Sequence, residues 1–241
     1  MHAALGRSSE TAEGLATPAL PASPEPALDV PEPVPLEHGG ATTWAPVRSA
    51  VFARTRPSPK TNVVVRLDTR TPEDTANVVL VLGRARDAAG RVWLHVRLPV
   101  LPNDRTGWVP RDALGGYGVV HTRLVVDLEQ LTATLLRERR PVFQARIGVG
   151  KPAWPTPKGQ FYIRNRLTTY ASSFYGPLAF GTSARSPTLT DWPDGGFIGI
   201  HGTSQPELLP GRVSHGCIRM RNEDILELGR RMPIGTPVTI R

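Results

Sequence analysis

Short apolar runs separated by turn-forming residues recur along the chain after residue 44. Their β-branched residues favour strands, and none of these runs has the spacing of apolar positions that an amphipathic helix needs. Proline, glycine and aspartate lie between them, as at residues 57–59 and 87–90. We predict strands at residues 51–54, 63–67, 78–82, 92–96 and 108–109. Strands at this spacing indicate a small β-barrel over residues 45–117.

A second strand pattern follows Gly115 and Gly116, which we interpret as a hinge between two self-contained domains. One helix is predicted after residue 221, with Asn222 as its cap and Pro233 as its end. Residues 118–241 should therefore form a mostly β domain with one C-terminal helix. Its predicted strands are residues 124–128, 131–136, 142–149, 160–163, 197–200 and 237–240.

The first 44 residues have a different composition, with seven prolines, eight alanines and almost no aromatic or β-branched residues. Such a segment cannot bury enough apolar area to offset its chain entropy, so residues 1–44 are predicted to be a disordered tether. Residues 1–20 contain no apolar core of the length that a secretory signal needs. The apolar runs elsewhere are far shorter than the roughly 20 residues of a membrane-spanning helix, so no membrane span is predicted.

Charge is distributed unevenly along the chain, which carries +8 in total. Residues 1–44 have one basic and six acidic side chains, residues 45–117 have twelve and six, and residues 118–241 have sixteen and nine. A basic surface is compatible with nucleic acid, an anionic envelope polymer or an acidic substrate. The cations form no runs and are not interleaved with aromatic residues, which argues against nucleic acid. Anionic wall polymers remain a candidate partner.

The most informative chemistry lies around Cys217, the only cysteine, which follows a histidine and a glycine. A second histidine flanked by glycine, His201, precedes it. A thiol is a good nucleophile only when a base takes its proton or a positive charge raises its thiolate fraction, so this pairing predicts an acyl-transfer enzyme. The backbone N–H groups of Gly216 and Cys217 are candidate donors to an oxyanion.

Spacing leaves two questions open at this site. Either His201 or His215 could reach the sulfur, because His215 is two residues from Cys217 and can share its face in an extended segment. The same three side chains could also form a zinc site. The paired ligand spacings of zinc sites are absent, and we predict neither a metal nor another cofactor. Arg219, two residues beyond Cys217, would suit a substrate carboxylate.

Longer motifs make a family resemblance specific. The chain contains Gly199-Ile200-His201-Gly202-Thr203, then Ser214-His215-Gly216-Cys217-Ile218-Arg219-Met220, with Thr156-Pro157-Lys158-Gly159 before them and Gly235-Thr236-Pro237-Val238-Thr239-Ile240 at the end. Residues 120–241 thus resemble the YkuD-type L,D-transpeptidase catalytic domain. Residues 93–97 and 106–110 resemble the closing strands of bacterial SH3-like domains, a likeness that covers residues 47–114.

The resemblance implies a fold class and roles for individual residues. It implies an SH3-like small barrel followed by a β-sandwich-like catalytic domain. Cys217 would be the nucleophile, His201 the general base and His215 an auxiliary residue. The substrate-binding residues would be Ser214, Arg219, Gly202 and Thr203. Many members of the family carry Asn at the position of Arg219.

The implied activity is acyl transfer in the bacterial cell wall. Cys217 would form a thioester with a peptidoglycan stem peptide and pass the acyl group to an amine of a second stem, outside the cytoplasm. L,D-carboxypeptidase activity, with water as acceptor, is an alternative. A cysteine wall hydrolase such as those of the NlpC/P60 group is another, although its cysteine precedes its histidines and Cys217 follows His201. A catalytically idle wall-binding protein is a third.

Overall fold

In a computed structural model of the chain, residues 34–35, 40–168, 173–189 and 196–241 are described. Most of the predicted tether, residues 1–44, lies outside them. The described residues form two sheets, each with its own buried apolar cluster. None of their helices is long and apolar enough to cross a membrane.

The first sheet has eight strands among the described residues, in the order β4-β3-β7-β6-β5-β2-β8, with β1 paired to β5. A short 3₁₀ turn at Arg111–Ala113 precedes its last strand. The strands are β1 (Val34–Pro35), β2 (Thr42–Pro46), β3 (Val51–Arg54), β4 (Val63–Leu67), β5 (Val78–Arg86), β6 (Val92–Arg97), β7 (Thr106–Pro110) and β8 (Gly118–Val120).

The second sheet has ten strands in the described part of the chain, in the order β11-β10-β9-β18-β13-β14-β15-β17-β12-β16. One α-helix, α1 (Asn222–Arg231), accompanies it in the described residues. The strands are β9 (Thr122–Asp127), β10 (Thr132–Arg137), β11 (Arg140–Arg146), β12 (Gly148–Gly150), β13 (Gly159–Leu167), β14 (Ala179–Arg185), β15 (Phe197–His201), β16 (Gly211–Ser214), β17 (Ile218–Arg219) and β18 (Pro237–Ile240).

The predicted class, mostly β with one helix near the C-terminus, is confirmed. Strands β3 and β4 have the predicted bounds, while β5 extends to Arg86. Its residues 78–81 are all buried and its later residues alternate, so the apolar run marks only the part with both faces covered. The SH3-like identity of the first sheet stays a prediction.

The predicted end of the tether needs correction. Strand β2 begins at Thr42 and pairs with β5 and β8, and residues 34–35 pair with β5. The reason is Trp44, whose ring packs beside the buried Val78, Leu80 and Tyr162. This apolar contact favours the strand at Thr42–Pro46, and the average composition of residues 1–44 conceals it.

The segment around Gly115 and Gly116, which was predicted to be a hinge, is held by contacts with the first sheet. The Gly115 N–H donates to the Pro46 carbonyl over 2.8 Å, and a Cβ on Gly115 would lie 2.7 Å from Pro46 Cγ. Two residues after Gly116, β8 pairs with β2. The segment between the sheets is therefore packed against the first of them.

The two domains share an interface with an apolar centre. A Cβ on Gly118 or on Gly235 would overlap the Trp44 ring, so this side chain is wedged between residues of both domains. The buried Tyr162 hydroxyl donates to the Val78 carbonyl over 3.0 Å. Such a hydrogen bond between domains fixes their relative position more tightly than apolar contact does.

Helix α1 starts differently from the prediction. Asn222 is its first residue, the N-cap is Arg221, and the cap makes no side-chain hydrogen bond. The Asn222 Oδ1 instead accepts the Thr203 N–H over 2.9 Å. The Asn222 side chain thus stabilises the turn that follows β15 and His201, and it does not cap the helix.

Candidate active site

Strand β15 presents one side of the site. Successive side chains of a strand point to opposite faces, so Phe197, Gly199 and His201 share a face. Strand β17 runs parallel to β15 and sets Arg219 opposite His201. Two of the predicted site residues, His201 and Arg219, are therefore placed by one strand pairing.

Cys217 lies just before β17, in a turn that is braced by its neighbours. The Ser214 Oγ accepts the Gly216 N–H over 3.0 Å and donates to the Cys217 carbonyl over 2.6 Å. Gly216 has φ +119°, a conformation that favours glycine. The Thr156 hydroxyl donates to the Gly216 carbonyl over 2.7 Å and accepts the Gly150 N–H over 2.9 Å. These bonds fix where the sulfur points.

The Cys217 side chain is half-buried, and the loss of hydration that a thiolate would suffer there raises the pKa of the thiol. The Gly199 N–H, which donates to Sγ over 3.4 Å, and the nearby Arg219 cation oppose this effect but do not outweigh it. The resting sulfur is therefore a neutral thiol. Of the two routes that the sequence left open, removal of the proton by a base during the attack therefore fits this thiol, and a raised thiolate fraction does not.

The His201 imidazole is suited to take that proton. Its side chain is buried, and burial lowers its pKa to about 4, so the ring is neutral at neutral pH. Its Nδ1 lies 2.6 Å from the Gly202 carbonyl oxygen. A carbonyl only accepts, so Nδ1 carries the hydrogen and Nε2 has the free lone pair. The Tyr175 ring contacts the imidazole edge-on at 4.8 Å.

Gly199 lets the sulfur and the imidazole share one space. A Cβ placed on Gly199 would lie 3.8 Å from Cys217 Sγ and 3.8 Å from His201 Cδ2. The absent side chain thus leaves room between the predicted nucleophile and the predicted base. This glycine was not among the predicted site residues, and its place two residues before His201 in the quoted motif was the available signal.

His215 lies on another side of the same pocket. Its ring contacts the Trp154 ring at 4.3 Å with a tilt of 37°, and both His215 and Cys217 line the pocket. The auxiliary role of His215 stays a prediction.

The pocket around Cys217 has an empty volume of about 460 Å³, counting its open mouth. Its lining residues are Phe174, Tyr175, Ser186, Leu189, Gly196, Phe197, Ile198, His201, Ser214, His215, Cys217 and Arg219.

Arg219 brings a positive charge into this pocket. Its guanidinium lies over the Phe174 ring at 4.6 Å, and its buried Nε has no hydrogen-bond partner in the described residues. Burial also lowers the pKa of the guanidinium. A buried cation with an unused donor is a good site for an anionic group of a ligand.

Three predicted site residues act differently from the expectation. The Gly216 N–H is engaged by Ser214, which leaves the Cys217 N–H as the remaining predicted oxyanion donor. Gly202 and Thr203 are buried and do not line the pocket. Gly202 instead accepts the hydrogen bond from His201, because the turn after β15 folds back behind the imidazole.

Two residues that the sequence did not single out complete this arrangement. Asn222 holds the turn behind His201 through Thr203, and Thr156 holds the Gly216 peptide. Thr156 stood in a quoted motif, whereas Asn222 was taken for a helix cap. Within the described residues, no group of three His, Cys, Asp or Glu side chains is arranged to hold a metal ion.

Comparison with known proteins gives one consistent family. Residues 121–240 match the YkuD family, described as the L,D-transpeptidase catalytic domain. The chain is 38% identical over 117 residues to YkuD of Bacillus subtilis, which is named as a candidate L,D-transpeptidase, and the match covers 48% of this chain and 64% of that protein. The candidate L,D-transpeptidase YqjB of the same organism is 32% identical over 102 residues, which are 39% of this chain and 56% of YqjB.

Among solved structures, the chain is similar to the NMR structure of the catalytic domain from E. faecium L,D-transpeptidase. The sequence identity is 28%, the coverage is 50% of this chain and 96% of that one, and the TM-score is 0.39.

Proposed function

We propose that this chain, whose residues 121–240 belong to the L,D-transpeptidase catalytic domain family, is a peptidoglycan L,D-transpeptidase that uses Cys217 as nucleophile. The observation that carries the proposal is a half-buried neutral thiol and a buried neutral imidazole with its Nε2 lone pair available, both facing one pocket. Such a pair supports attack on an amide without a preformed thiolate.

In the first step, Cys217 Sγ attacks the carbonyl carbon that follows an L-centre of the donor stem peptide, and His201 Nε2 takes the thiol proton. The tetrahedral oxyanion accepts a hydrogen bond from the Cys217 N–H. Collapse of this intermediate breaks the C–N bond, and the imidazolium returns its proton to the leaving amine. The products are a Cys217 thioester and a free terminal residue.

In the second step, an amine of another stem attacks the thioester carbonyl and His201 takes a proton from it. The C–S bond breaks, an amide bond forms, and the imidazolium returns its proton to the thiolate. Water in place of the amine gives a carboxylate, which is the L,D-carboxypeptidase alternative. The two outcomes differ only in the acceptor.

Arg219 is our candidate for holding a carboxylate of the stem, since its Nε is unused in the described residues and it contributes to the pocket wall. His215 is assigned an auxiliary role in positioning or oxyanion stabilisation. Ser214 is assigned to the shape of the nucleophile turn, where its hydroxyl bonds Gly216 and Cys217.

The proposal is tested by mass spectrometry after incubation with disaccharide tetrapeptides. Cross-linked dimers together with a Cys217 acyl adduct are expected, and trimmed monomers would identify the carboxypeptidase alternative. Cys217→Ala should lose both the adduct and the products while remaining folded. Products from Cys217→Ala would remove Cys217 from the mechanism.

The proposed substrate requires the protein to act outside the cytoplasm, and the positive charge of the folded part favours contact with anionic wall polymers. We propose such polymers as a secondary partner of the first domain. Co-sedimentation with sacculi should weaken when salt is raised or when the polymers are stripped. Salt-insensitive sedimentation would contradict this role.

A further inference from the structure

The side chain of Arg164, in β13, is one of the largest that the second domain buries. It is 2% exposed, and its Nε and Nη1 have no hydrogen-bond partner among the described residues. Its guanidinium lies over the Phe197 ring, 3.8 Å from the centroid. A buried cation of this kind needs a counter-charge, because desolvation penalises it strongly.

The counter-charge comes from the first domain. The Arg164 Nη2 lies 3.6 Å from the Oε2 of Glu73, whose side chain is 9% exposed. Asn165 Nδ2 donates to the same oxygen over 3.1 Å, which holds the carboxylate in place. The neighbouring Arg185 adds a repulsive charge to Arg164, which increases the need of Arg164 for the Glu73 carboxylate.

Phe197 connects this pair to the active site. Its ring lines the pocket, and it lies on the same strand face as Gly199 and His201. The Arg185 guanidinium also lies over the ring, at 4.9 Å. The Phe197 ring, which forms one wall of the pocket, thus packs against two arginines, and the nearer one, Arg164, is paired with a carboxylate of the other domain.

We infer that Glu73 is a positioning residue for substrate binding: it holds Arg164 against Phe197 and so fixes a pocket wall from the first domain. The inference rests on the proposed function. Glu73 touches neither the thiol nor the imidazole, so its loss should weaken substrate binding without changing the chemistry at Cys217. Residues that link a remote contact to a site typically change affinity about tenfold.

The test uses the full chain with Glu73→Gln, which keeps the size of the side chain and removes its charge. Asp74→Asn is the matched control, because Asp74 is the next residue and pairs with Arg70 at the exposed surface. KM and kcat are measured with disaccharide tetrapeptide, together with the pH profile of kcat and the rate of Cys217 alkylation by iodoacetamide.

We expect Glu73→Gln to raise KM about tenfold, with kcat, its pH profile and the alkylation rate unchanged, and Asp74→Asn to match wild type throughout. An unchanged KM in Glu73→Gln, with active wild type, would overturn the inference. Inactive wild type with tetrapeptide would instead overturn the proposed function.

A second pair of variants covers the case in which an unpaired Arg164 prevents folding. Arg164→Met removes the cation, and adding Glu73→Gln to it removes both charges. If Glu73 acts through Arg164, the double variant should have the same raised KM as Arg164→Met. An unchanged KM in Arg164→Met, or a further rise of KM in the double variant, would overturn the inference.

Discussion

The pH dependence of Cys217 acylation should distinguish a neutral thiol–imidazole pair from a preformed ion pair. Burial raises the pKa of Cys217 and lowers that of His201 to about 4. Between about pH 5 and 8, neither residue changes its protonation state. The wild-type acylation rate should therefore be flat over this range and fall on the acid side with a midpoint near pH 4, as His201 takes up a proton and ceases to be a base.

His201→Ala is the decisive perturbation. Assistance by a general base is worth about 10²- to 10⁴-fold, and the rate should fall by that factor at pH 7. The variant must react through the small fraction of thiolate. As long as the pH is below the thiol pKa, this fraction increases tenfold for each unit by which the pH is raised. Its profile should therefore lose the plateau and climb towards alkaline pH. His215→Ala should reduce the acylation rate by a smaller factor, and its pH profile should keep the fall on the acid side that the wild type shows.

The assay is single-turnover acylation by a carbapenem-type agent, followed by mass spectrometry of the intact protein from pH 3.5 to 9. Circular dichroism at each pH checks that the chain is folded. A wild-type rate that climbs tenfold per pH unit between pH 5 and 8 would refute the neutral pair. If His215→Ala loses the acid limb and His201→Ala keeps it, the roles of the two histidines must be exchanged.

Four other expectations follow from individual contacts. Tyr162→Phe removes a buried hydrogen bond between the domains and should lower the free energy of unfolding in urea by about 1–3 kcal/mol; no loss would mean that the bond contributes nothing. Asn222→Ala frees the Thr203 N–H behind the base and should slow acylation about ten- to a hundredfold, while Asn222→Asp, which keeps the acceptor, should retain more of the rate. Gly199→Ala sets a methyl at ordinary contact distance from both reactive groups, so acylation should fall about tenfold with an unchanged melting temperature; an unchanged rate would show that this space is not used. The pKa of His201 is about 6.5 in the unfolded chain and about 4 in the folded chain. Lowering the pH from 7 to 4 should therefore reduce the free energy of unfolding of the wild type by about 3 kcal/mol through this residue. Urea titrations of His201→Gln should lack this loss.

Strand positions were predictable where the sequence carries a local signal. The hairpin of β9 and β10 and the last strand β18 follow from apolar runs and a turn, and these elements have the predicted positions to within about two residues. Strands β12, β16 and β17 have only two to four residues each. Such short segments exist because neighbouring strands pair with them, and no periodicity within them could reveal it.

The reactive groups were predictable for a different reason. A lone cysteine and a glycine-flanked histidine have a chemical meaning wherever they fold, and the structure brings Cys217 and His201 to one pocket. The protonation states were not predictable, because burial, which decides both pKa values, depends on contacts distant in sequence. The same applies to Asn222. Its position in the sequence predicted a helix cap, but its side chain accepts a hydrogen bond from the Thr203 N–H instead.

The contacts between the domains change how the modular organisation should be understood. The sequence suggested two self-contained domains joined by a hinge at Gly115 and Gly116. Yet Tyr162 donates into the first domain, and Arg164 is paired with a carboxylate of that domain. The side-chain amide of Asn103 also donates to the Arg185 carbonyl over 2.9 Å and accepts the Arg185 N–H over 3.0 Å. Removing residues 1–117 would leave a buried cation and several polar groups without their partners, each at the cost of an unsatisfied buried group. The first domain therefore completes the fold of the second near Phe197, and the binding of wall polymers that we propose for it is better tested with surface charge substitutions in the full chain than by truncation.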